Sequence, residues 1–363
     1  MEKLLIAIAL LSLLGLNSAV SSTAAAADRL AAVADRPEQQ VSIATRELYL
    51  EDSRRQKTVP LRVTFPEGAG PFPVIIFSHG LFGSRDGYTY LAKYWAEHGY
   101  ACIQPSHDDS IRWMRERGKS VRLRQMLRDQ PYDKSAWINR VGDITFIIDS
   151  LPLDPDFAGK FDTARIAVAG HSYGAYTSLL IGGARVPRKE LAPKIESLAD
   201  PRVKAIVAMS PQGIRARDND VGFDDKGSYT IKIPSLYLTG DRDQTGWNTP
   251  ASRAEAFKYT IAGSKFFVSL FGANHMTFSG RAQDESTNQL SKQQHNGAKM
   301  FDMLAERAVQ PGYGDDEAHR RLVEKASTMF LDAYLKGDDS ARATLEHGGL
   351  TSLIGKAGVV EAK

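Results

Sequence analysis

The chain has 363 residues, more than one ordinary domain needs and fewer than two large ones, of which 42% are hydrophobic and 25% charged. That is the balance of a globular protein with a sizeable core and excludes disorder, collagen-like repeats and a coiled coil. Lys+Arg 46 against Asp+Glu 43 leave a net charge of +3, too small for the electrostatic footprint of a nucleic-acid binder, and a single cysteine, Cys102, excludes an internal disulfide and any cysteine-built zinc or iron–sulfur centre.

The apolar run LLIAIALLSLLGL (Leu4–Leu16) is followed by the small-residue stretch NSAVSSTAAAA. This is the pattern of a secretory signal, and the Ala25-x-Ala27 pair predicts cleavage before Asp28. As a helix the apolar run spans about 20 Å, short of a ~30 Å hydrocarbon core, so a membrane anchor is not expected. Residues 1–27 are therefore expected to be a signal peptide and 28–363 a single mature domain, secreted or periplasmic, with its core at about 44–340.

Segments 44–52 and 58–66 read as two extended stretches joined by a charged turn, a leading hairpin. PVIIFSHG (73–80) is a short continuous apolar run ending in glycine, as expected of a strand buried on both faces. A helix follows (88–99) with Tyr90, Leu91, Tyr94 and Trp95 on one face. Next come a strand (100–106), a helix (137–151), a strand (165–172) and a helix (173–184). Further strands are expected at 203–211, 234–240 and 264–272. An amphipathic helix at 318–338 carries Leu322, Ala326, Met329, Phe330 and Tyr334 at helical spacing. Strands alternating with helices imply an α/β fold, a mostly parallel central sheet with helices on both faces. Two inserts, 107–136 and 212–230, interrupt the rhythm. The first is basic: Arg112, Arg115, Arg117, Lys119, Arg122, Arg124 and Arg128 face only Glu116 among acids between 112 and 128. Such long connections serve as lids or binding loops, or as solvated surface.

Gly170-His171-Ser172-Tyr173-Gly174 is the one G-x-S-x-G in the chain. It follows an apolar strand and opens a helical run, the setting a nucleophile elbow requires. A serine alcohol needs a base, and the base an orienting carboxylate. Of the four histidines after Ser172, His275 comes directly after a strand, in SLFGANH, whereas His295, His319 and His347 lie in polar or helical stretches. For the acid, the strand PSLYLTG ends in Asp241-Arg242-Asp243. The first aspartate suits a turn acceptor and the second can reach across to a histidine, so Asp243 is expected as the acid. No histidine or further carboxylate clusters with that pair, so neither a metal nor a cofactor is expected. The oxyanion of an acyl-transfer intermediate needs donors: the N–H of Tyr173, and that of Leu81 in the loop Ser78-His79-Gly80-Leu81-Phe82-Gly83. His79 reads as a structural hydrogen-bonding residue. Phe82, Tyr173 and Trp247 are candidate substrate walls or, alternatively, core.

On the residues FSHGLFGSRDGY, GHSYG, TGDRD, GANHMTFSG and FLDAYLKGD, the chain resembles the α/β-hydrolase superfamily. Within it, it is similar to the secreted serine esterase branch of platelet-activating-factor acetylhydrolase, chlorophyllase and the predicted dienelactone hydrolases. The dienelactone hydrolases proper carry a cysteine nucleophile where this chain has Ser172. The resemblance implies a Ser172–Asp243–His275 triad, Leu81 and Tyr173 as oxyanion donors, and a carboxylic ester as substrate. Two other functions fit the same residues less well. One is a lipase or phospholipase-type acyl hydrolase whose basic 112–128 segment touches anionic headgroups; the other is a non-catalytic hydrolase-fold binding protein. The expected partner is a small-molecule or lipid ester, without nucleic acid or stable membrane insertion.

Overall fold

The leading hairpin is formed by β1 (Ile43–Asp52) and β2 (Lys57–Pro66), paired antiparallel from Ile43 opposite Pro66 to Asp52 opposite Lys57. In a computed structural model of the chain, the residues described are 41–119, 134–155, 157–185, 197–215, 221–245, 248–280 and 316–363. They build one nine-stranded sheet in the order β1-β2-β4-β3-β5-β6-β7-β8-β9. The remaining strands are β3 (Phe72–Ser78), β4 (Ala101–Pro105), β5 (Phe161–His171), β6 (Val203–Met209), β7 (Ser235–Arg242), β8 (Lys265–Asn274) and β9 (Gly358–Ala362). From β4 across to β8 every pair is parallel, and antiparallel pairing is confined to the two ends. The chain has the mostly parallel α/β architecture that alternating periodicities imply.

The reason is visible in β3, whose residues divide strictly between two cores. Val74 and Ile76 pack with one set of helices: α3 (Lys134–Ser150) through Trp137, Val141 and Ile144, α4 (Tyr173–Ile181) through Ala175 and Leu179, and α5 (Pro250–Tyr259) through Ala256 and Phe257. Ile75 and Phe77 pack on the opposite face with α1 (Thr89–Glu97) through Leu91 and Trp95, and with α6 (Asp316–Leu331) through Val323, Ala326 and Phe330. Alternate side chains of one strand point to opposite faces, so a strand apolar at every position must be covered twice. At about 25 cal/mol per Å² of apolar surface, these two cores are the main favourable term holding the sheet between its helices.

Three features depart from the sequence expectation. The sheet runs past residue 340: after α7 (Asp339–Glu346) and α8 (Gly349–Ile354), β9 adds antiparallel to β8, with Leu270 opposite Gly358 and Phe266 opposite Ala362. Its sequence GVVEA is short and leaves Val359 46% exposed, so no buried face marks it in the pattern. The 107–136 insert begins with a short helix, α2 (Ile111–Glu116), capped by Ser110 accepting from the Trp113 N–H; Arg122, Arg124 and Arg128 lie outside the described residues. The 212–230 insert is in part core: Phe223 and Tyr229 are buried, and Phe223 packs on Tyr176 at 5.0 Å between ring centroids. Residues 1–27 also lie outside the described residues, and among those described no helix is long and apolar enough to cross a membrane.

Candidate active site

Parallel strands leave their carboxyl ends at one edge, and the candidate residues gather there. Ser172 sits between β5 and α4 with φ 56° and ψ −118°, a conformation that L residues rarely adopt. Its N–H donates to the Met209 carbonyl of the neighbouring strand at 2.9 Å. Close approach explains the flanking glycines. A Cβ on Gly174 would stand 1.9 Å from the Ser78 carbonyl oxygen, and one on Gly170 would stand 2.3 Å from that of Gly174. The turn thus presses the start of α4 against the end of β3, and the Ser172 hydroxyl projects at the positive end of a helix.

Ser172 Oγ lies 2.9 Å from His275 Nε2, and His275 Nδ1 lies 2.8 Å from Asp243 Oδ1. Asp243, not Asp241, faces the histidine: Asp241 Oδ1 instead accepts the Gly272 N–H at 2.7 Å, tying two strand ends together. Asp243 is fully buried and its Oδ2 accepts from Thr239 Oγ1 at 2.9 Å. Beneath it stands Arg253, which sequence reading missed. The helix carrying it starts at Thr249 with a reciprocal cap, Thr249 Oγ1 accepting the Ser252 N–H while Ser252 Oγ accepts the Thr249 N–H, and with Pro250 at its first position. Arg253 Nε meets Asp243 Oδ1 at 2.8 Å and Nη1 donates to the Ser210 carbonyl at 2.7 Å. Burial alone would raise the Asp243 carboxyl, but Arg253 and His275 outweigh it and hold it well below the usual carboxylate range. Burial pushes the His275 imidazole below its ordinary value; Asp243 opposes that shift and Arg253 adds to it. The His275 imidazole is therefore neutral, and able to take a proton, at neutral pH.

A second Ser–His–Asp series lies behind the first. Ser78 Oγ is 2.9 Å from His107 Nε2, and His107 Nδ1 is 2.9 Å from Asp143 Oδ2. All three are buried, Ser78 at 0% exposure, and Asp143 also meets Lys57 at 2.9 Å and Arg55 at 2.8 Å. Its hydrogen-bond pattern matches that of Ser172, but Ser78 ends a strand inside the protein, whereas Ser172 sits half-buried on an elbow. Ser78 Oγ also accepts from Arg140 Nη1 at 3.3 Å, so both its burial and this added bond set it apart from Ser172.

The loop 79–83 lies against the elbow. His79 is buried; its Nε2 accepts the His107 N–H at 3.1 Å, so Nδ1 carries the proton and donates to the Gly80 carbonyl at 2.6 Å. Gly80 N–H donates to Tyr88 Oη at 3.2 Å, which leaves the next N–H, that of Leu81, as the loop's candidate oxyanion donor. Leu81 is half-buried, packed against the larger core. Phe82 is half-buried with φ 64°, and its N–H donates to Asp109. Tyr173 is buried in the core, its ring stacked 6.3 Å from Tyr176, so its side chain is packing rather than an open wall. Trp247 and His295 lie outside the described residues. His319 Nε2 donates to the Phe271 carbonyl at 2.9 Å and His347 Nδ1 to that of Ala343 at 2.6 Å, away from Ser172.

A parallel sheet with this strand order, helices on both faces and a strand–Ser–helix elbow defines the α/β-hydrolase fold, and the chain has it. Residues 35–129 match the chlorophyllase family model. The structure is similar to the solved structure of ferulic acid esterase from Streptomyces cinnamoneus, with a TM-score of 0.58 and 18% sequence identity over 84% of this chain and 93% of that one. No curated protein sequence matches the chain.

Proposed function

We propose that this protein is a serine carboxylic ester hydrolase that works through an acyl-enzyme. The observation that carries the reading is the continuous path from Ser172 Oγ to His275 Nε2 at 2.9 Å and from His275 Nδ1 to Asp243 at 2.8 Å. His275 takes the Ser172 proton as the hydroxyl attacks the ester carbonyl, and the Leu81 and Tyr173 N–H groups receive the oxyanion. The imidazolium, steadied by Asp243, gives its proton to the departing alcohol. Water then repeats the sequence on the acyl-enzyme and releases the acid. An ester as substrate is supported by the likeness to a ferulic acid esterase.

Two of the four cations at the described end of the basic insert are paired within the protein, which supports a soluble ester over a lipid surface. Arg112 is paired with Asp86 and Glu116, and Arg117 lies 3.7 Å from Asp108, so these cations have acidic partners within the protein. The deciding experiment is hydrolysis of p-nitrophenyl acetate by wild type and Ser172→Ala, with fluorophosphonate labelling. The wild type is expected to turn over and to label at Ser172, and the variant to do neither. Equal rates, or an unlabelled wild type, would overturn the proposal in favour of a non-catalytic fold. Activation by anionic vesicles and strong salt dependence would favour the lipid-surface alternative.

We propose further that residues 1–27 direct export. Amino-terminal sequencing of the mature protein is expected to begin at Asp28, and an intact Met1 on the active protein would overturn this.

A further inference from the structure

Arg140 is 1% exposed and lies in α3, far along the chain from any residue of the proposed triad. Its guanidinium reaches the loop after β3 from below. Nη1 donates to the His79 carbonyl at 2.6 Å and to Ser78 Oγ at 3.3 Å, and Nη2 donates to the Gly80 carbonyl at 3.2 Å. Asp109 is its counter-ion, with Nε to Oδ1 at 3.0 Å and Nη2 to Oδ2 at 2.7 Å. The same Oδ2 accepts the Phe82 N–H at 3.2 Å, at the residue whose φ is 64°. The guanidinium carbon also stands over the Tyr173 ring, 4.6 Å from its centroid. One planar cation therefore touches both segments that hold the candidate oxyanion donors.

The consequence follows from peptide geometry. In a planar trans peptide the C=O of one residue and the N–H of the next point in opposite directions. The Gly80 carbonyl accepts from Arg140, from His79 Nδ1 at 2.6 Å and from the Gly83 N–H at 3.1 Å. Three donors on that oxygen leave the Leu81 N–H one direction, away from Arg140, and polarise the peptide so that this N–H is a stronger donor. We propose that Arg140, anchored by Asp109, is the positioning residue of the oxyanion hole, aiming the Leu81 N–H through the Gly80 carbonyl and seating Tyr173 through its ring. This rests on the ester-hydrolase reading, but a failure of each is told apart: an inactive, unlabelled wild type ends that reading, whereas the present inference is tested only among variants of an active enzyme.

The test compares wild type with Arg140→Lys, which keeps the charge but not the fork, and with Arg140→Gln, counting active sites by fluorophosphonate titration. Loss of aim at one donor is expected to lower kcat per titrated site by about 10²-fold or more with KM within a few-fold, the scale of losing an oxyanion donor. Affinity for a trifluoromethyl ketone, which adds to Ser172 and places an oxyanion in the hole, is expected to fall in parallel with kcat/KM. The acid limb of the pH profile should stay where it is, because the guanidinium does not contact His275. Should both variants fold poorly, Asp109→Asn serves: it leaves the guanidinium and both carbonyl bonds but weakens the acceptor for the Phe82 N–H, and a smaller loss of the same kind is expected. Titrated sites with unchanged kcat, or a kcat loss without weaker ketone binding, would show a merely structural ion pair and overturn the inference.

Discussion

His171 donates its Nε2–H to the main-chain carbonyl of His275 at 2.9 Å. The residue inside the elbow motif thus holds the backbone of the residue proposed as base, 104 positions further along. On its other nitrogen His171 meets Tyr88 Oη at 2.8 Å, and Tyr88 accepts the Gly80 N–H. A single series of hydrogen bonds therefore runs from the loop 79–83, through the elbow, to the histidine loop. Replacing His171 by Phe removes both bonds and is expected to lower kcat about 10-fold or more, about the worth of the bond that positions His275, with KM little changed. Steady-state kinetics on p-nitrophenyl acetate check it; an unaltered kcat in a folded variant counts against the series.

The two aspartates at the end of β7 separate cleanly. Asp243→Asn removes the negative charge and can turn an amide N–H toward His275 Nδ1, favouring the wrong tautomer, and is expected to cost about 10⁴-fold in kcat. Asp241→Asn keeps an oxygen for the Gly272 N–H and is expected to leave kcat within a few-fold. Reversed effects would move the acid to Asp241.

If His275 is the base, as proposed, the acid limb of the rate profile is expected to follow its titration, because it must be neutral to take a proton. It faces Asp243, Arg253 and His171. Its value lies below the ordinary 6.5, with burial the largest cause. As pH falls the base is lost on protonation, so kcat/KM should hold down to a midpoint below 6.5. Arg253→Gln removes a cation 3.1 Å from Nδ1 and should move that midpoint upward. A midpoint at or above the ordinary histidine value in the wild type would contradict the burial argument.

Stability should fall with acid in two stages. His79, His107 and His171 are each held below 6.5, mainly by burial, so the unfolded chain binds their protons first. For a depressed histidine the stabilisation is full above its unfolded value of 6.5 and declines as pH drops below it. Asp109, Asp143 and Asp243, held low against the pull of burial by their cationic and histidine partners, begin to cost stability only below 3.8. Thermal melts of Ser172→Ala across pH should therefore show Tm declining from about pH 6.5, well before carboxylates titrate. A Tm flat down to pH 4 would mean the histidines are not buried as neutral groups.

Gly174→Ala forces a Cβ to within 1.9 Å of the Ser78 oxygen and 2.8 Å of the His79 oxygen, both main chain and unable to swing aside. Separating α4 from β3 is expected to cost about 3 kcal/mol of stability, read by chemical denaturation, together with loss of activity. Alanine at the open Gly263, with nothing within 4 Å of its Cβ, is the control.

Local pattern alone located nearly every strand that carries the site. A strand buried on both faces must be continuously apolar, and a serine between such a strand and a helix has few conformations open to it, so Ser172, Asp243 and His275 were each legible as strand-end residues. The edge strand β9 was not, because an edge with one half-exposed face carries no strong period. Tertiary structure alone decided what lies around those residues. That Arg253 sits under Asp243, that Arg140 clasps the loop before Leu81, and that Ser78, His107 and Asp143 repeat the same bonding pattern out of reach all depend on contacts between segments far apart in sequence. The register of β3 against β5 and the seating of α3 and α5 on the sheet set those contacts. An arginine in a helix reads as solvated surface until the packing of other segments buries it, and only then does it need, and find, its partners.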